Sequence, residues 1–151
     1  MTHLPHWWQN GVIYQIYPKS FQDTTGSGTG DLRGVIQRLD YLHKLGVDAI
    51  WLTPFYVSPQ VDNGYDVANY TAIDPTYGTL DDFDELVTQA KSRGIRIILD
   101  MVFNHTSTEH EWFRQSLNKA SPYRQFYIWR DGEPGALPNN WRSKFGGNAW
   151  Q

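Results

Sequence analysis

The chain has 151 residues, of which 40% are hydrophobic and 15% aromatic, so a single domain-sized unit with a core is expected rather than disorder. Its formal net charge of -3, with 13 dispersed lysines and arginines, argues against nucleic-acid and membrane-surface partners and leaves a small molecule as the expected partner. The absence of cysteine excludes disulfides, thiol catalysis and cysteine-based zinc sites.

The first predicted elements are a buried strand and an amphipathic helix. β-branched and aromatic residues bounded by Gly and Pro predict a strand in the segment GVIYQIYP, residues 11–18. A helix is predicted from Asp31, a candidate N-cap, to Gly46, which is placed to end it. The apolar residues of this helix recur at helical spacing: Leu32, Val35, Ile36, Leu39, Leu42 and Leu45.

Two further strands are predicted, with a second helix between them. The apolar runs VDAIWLTP, residues 47–54, and IRIILDMV, residues 95–102, enclose a long loop over residues 53–78 and a helix over residues 79–94. Thr79 and Asp82 form a candidate capping pair for that helix, and Thr108 and Glu111 have the spacing of a capping box for a short helix beyond the third strand. From residue 121 onward Pro, Gly, Asn and Trp dominate, and no strand is predicted.

The order of these elements indicates the fold class. Strands that are apolar on both faces and alternate with helices are typical of a parallel sheet, so the predicted class is α/β. Three parallel strands would leave unpaired edges, and a closed (β/α)₈ barrel needs about 250 residues. We therefore expect the chain to be the N-terminal part of a longer protein.

The segment DMVFNH, residues 100–105, is the first candidate for a functional site. It lies at the end of the third strand, and functional groups of α/β folds collect beyond the C-terminal ends of strands. Asp100 could accept and His105 could donate hydrogen bonds to a polyhydroxylated ligand. A turn in which Asp100 and Asn104 bind nearby backbone amides is an equally good interpretation from position alone.

The segment VDNGYD, residues 61–66, is the second candidate and lies in the long loop after the second strand. Asp62 and Asp66 flank Tyr65, whose ring could stack on a sugar with hydrogen-bond acceptors beside it. An Asn-Gly turn with solvated carboxylates is the alternative.

A glycine-rich loop, DTTGSGTGDLRG at residues 23–34, follows the first strand. Asp31 occupies the third glycine position of a dinucleotide fingerprint, and its charge would repel a pyrophosphate. Oxygen-bearing side chains alternate along the loop as in a calcium site: Asp23, Thr25, Ser27, Thr29 and Asp31. A bound cation and a purely structural glycine loop remain the two alternatives.

Signals for export, membrane insertion and histidine-based metal binding are missing from the sequence. The opening MTHLPHWWQN lacks the features of a signal peptide, and there is no stretch of about 18 apolar residues, so a cytoplasmic location is expected. Four histidines show no metal-ligand spacing and are expected at the surface: His3, His6, His43 and His110.

Taken together, several segments resemble the N-terminal half of the barrel of glycoside hydrolase family 13, in its α-glucosidase branch: GVIYQIYPKSF, GTGDLRGVIQRLDYL, AIWLTPFYVSPQVDNGYDV, YGTLDDFDELV and DMVFNHTSTEHEWF. The resemblance implies the first three β/α units of a TIM (β/α)₈ barrel in residues 1–104. Residues 105–151 would then begin the loop-rich domain inserted after the third strand, braced by Asn104.

The same resemblance implies roles for four side chains. Asp100 and His105 would line the subsite of the glucosyl ring that is cleaved. Tyr65 would stack on a non-reducing-end glucose and Asp62 would bind its far hydroxyls, closing the pocket and implying exo-action. The family's calcium loop has four Asp or Asn residues at alternating places, and here Thr25 and Ser27 replace two of them. The resemblance therefore implies no required cofactor and leaves a structural Ca²⁺ as an option.

The implied activity is that of a retaining α-glucosidase. Its Asp nucleophile and its Glu acid and base are expected beyond Gln151, so no catalytic residue is expected within the chain, which alone should be inactive. Through the segments YPKSFQDTTGSGTGD and NNWRSKFGG the chain most resembles members of this branch that act on trehalose 6-phosphate, and the resemblance implies that substrate. The alternatives are an oligo-1,6-glucosidase, a transglycosylating relative such as a sucrose isomerase, and, from another class, a non-catalytic sugar-binding or structural fragment.

Overall fold

The fold was obtained as a computed structural model that describes residues 5–144 and 146–150. His3 and Phe145, the latter part of the segment NNWRSKFGG, lie outside the described residues. The chain divides into two compact units, Met1–Arg114 and Gln115–Gln151. The first unit contains α1 (Trp7–Asn10), β1 (Ile13–Ile16), α2 (Pro18–Phe21), α3 (Leu32–Gln37), α4 (Leu39–Leu45), β2 (Ala49–Leu52), β3 (Tyr56–Val57), β4 (Asn69–Ile73), α5 (Leu80–Ser92) and β5 (Arg96–Leu99).

The centre of the first unit is a parallel sheet with the strand order β1-β2-β5. In its register Ile16 lies beside Leu52, which lies beside Leu99, so the three strands end level with one another. This confirms the predicted α/β class and places the loops that follow the strands together at the C-terminal ends of the strands. The predicted domain boundary after residue 104 stays a prediction.

One face of the sheet packs against the helices. Leu52 and Ile50 are fully buried, as are Leu39 and Leu42 of α4 and Leu86 of α5. Removing a side chain of this size from water contributes about 1.5 to 3 kcal/mol, so this contact stabilises the sheet on which the strand-end loops are mounted. The predicted burial on both faces is not complete in β1, where Ile13 is 47% exposed on the opposite face.

The helix predicted over residues 31–46 is interrupted. Asp31 is its N-cap as predicted, accepting a hydrogen bond from the Gly34 amide at 2.7 Å, and Gly46 ends it with a φ of 84°. Arg38 leaves the helical region, with φ -98° and ψ 3°, and divides α3 from α4. Its side chain donates from Nε to Gln22 Oε1 at 2.8 Å, which ties the break to the chain after β1.

The prediction of a continuous loop over residues 53–78 is wrong. The segment contains β3 and β4, paired antiparallel with an irregularity between Tyr56 and Val57. Strand β3 has only two residues, too few to produce a readable alternation. The hairpin gives the loop between its strands, which carries Asp62 and Tyr65, a firm base.

The caps of the later helices agree with the predictions in one case only. Thr79 and Asp82 form the predicted capping box of α5, and the Arg33 guanidinium binds the Asp82 carboxylate at 2.8 Å. The predicted Thr108 cap is wrong, because α6 (Glu111–Ser116) begins one residue after His110. The Nδ1 atom of His110 accepts from the Trp112 amide at 3.1 Å, and its ring is buried rather than at the surface as predicted.

The second unit, Gln115–Gln151, begins within α6 and contains little regular secondary structure among its described residues. Its described residues hold a 3-10 helix, Pro122–Phe126, and an isolated bridge between Arg142 and Asn148, in agreement with the predicted lack of strands. The Trp129 indole donates to the Arg124 carbonyl at 2.9 Å. Among the residues that the structure describes, no helix has the length and apolar character needed to cross a bilayer.

Candidate functional site

The predicted site residues lie beyond the level ends of the parallel strands. The Asp100 amide, directly after β5, donates to the Leu52 carbonyl at 3.3 Å, and the Thr53 amide, directly after β2, donates to the Ile16 carbonyl at 3.0 Å. Asp62 and Tyr65 belong to the loop between β3 and β4, which also follows β2. The fold therefore brings segments that are 35 residues or more apart in sequence together at the C-terminal ends of the parallel strands.

Tyr65 connects the two candidate motifs. Its hydroxyl donates to Asp100 Oδ2 at 3.1 Å, and its carbonyl lies 3.1 Å from His105 Nε2. Its amide donates to the Asp62 carbonyl at 3.0 Å, closing the turn that the Asn-Gly pair predicted. Tyr65, Asp100 and His105 are thus joined by hydrogen bonds, and Asp62 is joined to them through its backbone carbonyl. The sugar-binding role of this candidate group of four residues stays a prediction.

The tautomer of His105 follows from its partners. The Tyr65 carbonyl can only accept, so Nε2 carries the proton and donates. In the neutral ring Nδ1 then accepts, and Asn104 Nδ2 donates to it at 3.0 Å. The ring is exposed, yet both nitrogens have partners within the protein. Donation from His105 to a sugar stays a prediction, and it requires Nε2 to share or exchange its bond to Tyr65.

The segment that carries His105 is anchored by the hairpin. The Tyr70 hydroxyl in β4 lies 2.5 Å from the Val102 carbonyl oxygen and 2.8 Å from the His105 carbonyl oxygen, and it donates its proton to this pair. Tyr56 in β3 donates to the sulfur of Met101 at 3.0 Å. These bonds hold the backbone after β5 against the sheet, so the strand-end carboxylate and imidazole sit on a rigid base.

The electrostatics of the group keep its phenols neutral. Burial raises the pKa of Tyr65, and the hydrogen bond to Asp100 and the charges of Asp100 and Asp62 raise it further. Burial and the Asp100 charge also raise the pKa of Tyr56. A phenol whose pKa lies above its ordinary value of 10.0 remains a hydrogen-bond donor throughout the physiological range. Tyr65 therefore presents Asp100 with a permanent donor.

Sequence reasoning missed two tyrosines near this group. Tyr17, the residue after β1, lies close enough to Tyr65 and Tyr77 for its hydroxyl to raise the pKa of both. Burial, followed by Tyr17 and the Asp74 charge, raises the pKa of Tyr77 to about 12. Tyr17 could have been found by the same strand-end rule that identified Asp100. Tyr77 carried no such signal, since the fold alone brings residue 77 beside the first strand.

Asp66 has a different role from the one expected of a sugar acceptor. Its carboxylate accepts from the Ser58 hydroxyl at 2.8 Å, the Val61 amide at 2.8 Å and the Asp62 amide at 3.1 Å. Burial acts to raise the pKa of Asp66, but these hydrogen bonds outweigh it and hold the pKa below its ordinary value of 3.8. The carboxylate is therefore ionised and bound to its own loop.

The glycine-rich loop also binds its own carboxylates. Asp23 Oδ1 accepts from the Thr25 and Gly26 amides at 2.8 and 2.9 Å, and Oδ2 accepts from the Gly28 amide at 2.7 Å. Asp31 caps α3 and accepts from the Thr24 amide at 2.9 Å. Among the described residues no group of three His, Asp or Glu side chains is placed to hold a metal ion. The remaining predicted ligands, Thr25, Ser27 and Thr29, bond within the loop. These bonds agree with a structural loop, and a bound Ca²⁺ stays a prediction.

Two cavities lie away from the candidate group. One of about 510 Å³ follows the outer edge of β5 and is lined by Trp7, Phe83, Val87 and their neighbours. Another of about 420 Å³ is lined by Tyr70, Phe103, His110, Trp112 and three polar residues. Neither cavity is lined by the four predicted sugar-binding residues, which instead lie beyond the C-terminal ends of the parallel strands.

The parallel sheet therefore carries acid, phenol and imidazole groups that are joined beyond its strand ends. Residues 15–151 match the catalytic domain of the α-amylase family, and the chain belongs to that family. Its fold neighbours are TIM-barrel enzymes of that family, and the parallel β1-β2-β5 sheet with its helices corresponds to the N-terminal part of their barrel.

Several individual members of the family are similar to this chain over nearly its whole length. The chain is 93% identical over all 151 residues to trehalose-6-phosphate hydrolase of Escherichia coli K12, and it spans 27% of that relative's length. A solved trehalose-6-phosphate hydrolase from Bacillus licheniformis matches 97% of the chain at 57% identity with a TM-score of 0.92. Isomaltulose synthase from Erwinia rhapontici matches 99% of the chain at 54% identity with a TM-score of 0.95. The chain covers 27% of each of these solved structures as well.

Proposed function

We propose that the whole protein carrying this chain is a retaining α-glucosidase that hydrolyses trehalose 6-phosphate to glucose and glucose 6-phosphate. The observation that carries the proposal is the 93% identity, over the full chain, to a relative named for that hydrolysis. The group formed by Asp62, Tyr65, Asp100 and His105 supports it, because these side chains offer a sugar two acceptors, an aromatic face and a donor at one edge of the barrel.

The chain would supply the binding half of the active site. In a retaining mechanism a carboxylate attacks the anomeric carbon while a carboxylic acid protonates the leaving oxygen, and water then releases the glycosyl-enzyme. These two residues would come from parts of the whole protein outside the present chain. The residues described here would hold the glucosyl ring in place for the attack.

Each of the four side chains has a separate task in this proposal. The ring of Tyr65 would stack on the apolar face of the glucosyl unit while its hydroxyl keeps Asp100 in place. The carboxylates of Asp62 and Asp100 would accept from sugar hydroxyls, and His105 would donate to one. Hydrogen bonds of this kind to charged groups contribute about 1.5 to 3 kcal/mol each, so their alignment accounts for a large part of glucose recognition.

The alternatives within the family share this half of the pocket. The TM-score of 0.95 to isomaltulose synthase indicates that the backbone of these residues does not distinguish hydrolysis from isomerisation. The test is to incubate the whole protein with trehalose 6-phosphate, isomaltose and sucrose separately and to analyse the products. Glucose and glucose 6-phosphate from the first substrate alone would support the proposal. Cleavage of isomaltose instead would support an oligo-1,6-glucosidase, and isomaltulose from sucrose would support a sucrose isomerase.

A non-catalytic sugar-binding role is the alternative from another class. It is tested by assaying the 151-residue chain and the whole protein side by side. Turnover by the whole protein only would fit the division of labour proposed above. Inactivity of both with all three sugars would favour the non-catalytic role. We further propose that the protein needs no cofactor and is cytoplasmic.

A further inference from the structure

The loop that carries Asp62 is held in an unusual backbone conformation. Gln60 and Asn63 have positive φ angles of 61° and 52°, which non-glycine residues rarely adopt, and Gly64 has a φ of 97°. A Cβ at Gly64 would lie 2.9 Å from the Pro54 carbonyl oxygen, so the loop also passes too close to the end of β2 for any larger residue. Such a conformation persists only where other contacts enforce it.

The enforcing contacts come from two side chains, Asp66 and Ser58. The Ser58 hydroxyl accepts from the Gln60 amide at 2.9 Å and donates to Asp66 Oδ1 at 2.8 Å. The same Oδ1 accepts from the Asp62 amide at 3.1 Å, while Oδ2 accepts from the Val61 amide at 2.8 Å. Three consecutive amides, those of residues 60–62, are thereby fixed by one buried hydroxyl and one carboxylate.

We propose that Asp66 is a positioning residue that holds the backbone of Asp62 so that the Asp62 side chain meets the sugar. This inference rests on the proposed function, and it assigns to Asp66 no contact with the substrate. Tyr65, its neighbour in the chain, shares the turn with Asp62 through its amide, but its hydroxyl and its carbonyl are bound to Asp100 and His105. Because these two bonds hold the aromatic residue independently of Asp66, the effect of Asp66 should pass through Asp62.

The test is a double-mutant cycle in the whole protein with Asp62→Ala, Asp66→Ala and the double variant, using kcat/KM for trehalose 6-phosphate. Residues that act through a shared element are non-additive, whereas independent contacts add. We expect Asp66→Ala to lower kcat/KM by about tenfold in the native background and by less than about twofold in the Asp62→Ala background. Equal losses in both backgrounds would overturn the inference, because Asp66 would then act independently of Asp62.

Two further variants keep the test decisive if Asp66→Ala does not fold. Asp66→Asn retains the size of the side chain but places an N–H opposite at least one of the loop amides, and Ser58→Ala removes the hydroxyl while leaving the carboxylate. Each should show the same coupling to Asp62→Ala in its own cycle. Asp84→Asn, on the exposed surface of α5, is the matched control for loss of one carboxylate and should leave kcat/KM unchanged.

The cycle also separates this inference from the proposed function. If Asp62→Ala itself leaves kcat/KM unchanged, the assignment of Asp62 to the pocket fails, and the inference fails with it. If Asp62→Ala lowers kcat/KM but the effect of Asp66→Ala is additive, the proposed pocket stands and the positioning role alone is refuted.

Discussion

Replacing Tyr65 with phenylalanine removes a hydroxyl that joins the two candidate motifs and leaves the aromatic ring in place. The lost bond runs from the hydroxyl to Asp100 Oδ2 at 3.1 Å. A hydrogen bond to a charged group contributes about 1.5 to 3 kcal/mol. Because 3.1 Å exceeds the usual upper limit of about 3.0 Å for O–H···O bonds and the ring is only half-buried, the lower figure applies. A loss of about 1.5 kcal/mol corresponds to a roughly tenfold decrease in kcat/KM.

The assay is glucose release from trehalose 6-phosphate by the whole protein, native and Tyr65→Phe, across a range of pH. The raised pKa of Tyr65 keeps its hydroxyl protonated, so the ratio of the two activities should not change with pH below the ordinary tyrosine pKa of 10.0. Tyr41→Phe is the matched control, because Tyr41 is 52% exposed on α4, and it should have no effect. A Tyr65→Phe activity within about twofold of the native value would refute the reasoning that this bond orients Asp100.

Three other changes have defined outcomes. Asp62→Ala should weaken transition-state binding by about 1 to 3 kcal/mol, measured as a decrease in kcat/KM. An unchanged kcat/KM would show that Asp62 does not bind the sugar. Burial opposes ionisation of Asp82, but bonds from Thr79 and the charge of Arg33 prevail and hold its pKa below 3.8. The stability that Asp82 contributes is therefore complete above pH 3.8 and is lost as pH falls through the lower pKa of the folded state. The free energy of unfolding of Asp82→Asn, measured by denaturation at a series of pH values, should therefore decrease less steeply in this acidic range than that of the native protein. Chelation with EDTA should leave the melting temperature unchanged, because loop amides already bind the Asp23 carboxylate. A clear decrease that added Ca²⁺ reverses would show instead that the loop binds calcium.

Local signals predicted the parts of the fold that depend on neighbouring residues. Asp31 caps α3 and Thr79 caps α5 as predicted, because a capping side chain binds amides two or three residues away. The three parallel strands were predicted from continuous apolar runs, since strands covered by helices are buried regardless of distant detail. The family resemblance rested on the same segments and was confirmed by the match over residues 15–151.

The failures occurred where a distant contact overrides the local pattern. The two residues of β3 form a strand only because β4 pairs with them, and a loop of more than ten residues separates the two. His110, predicted at the surface, is buried between the rings of Tyr70 and Trp112, with centroid separations of 5.6 and 4.8 Å. The break at Arg38 coincides with its bonds to Gln22, sixteen residues earlier. Apart from Trp112, which follows His110 by two residues, these partners lie more than ten residues away in sequence.

The sequence by itself determined the three parallel strands, the helices between them, and that acids, amides and an imidazole follow the strands, because periodicity and capping are short-range properties of the chain. Only the tertiary structure decided which of those groups meet. It joined Tyr65 to Asp100 and His105 across 35 and 40 residues, and it turned the carboxylate of Asp66 toward its own loop amides. The direction of a carboxylate depends on which donors the fold places within about 3 Å, and that is a property of the packed chain rather than of its composition.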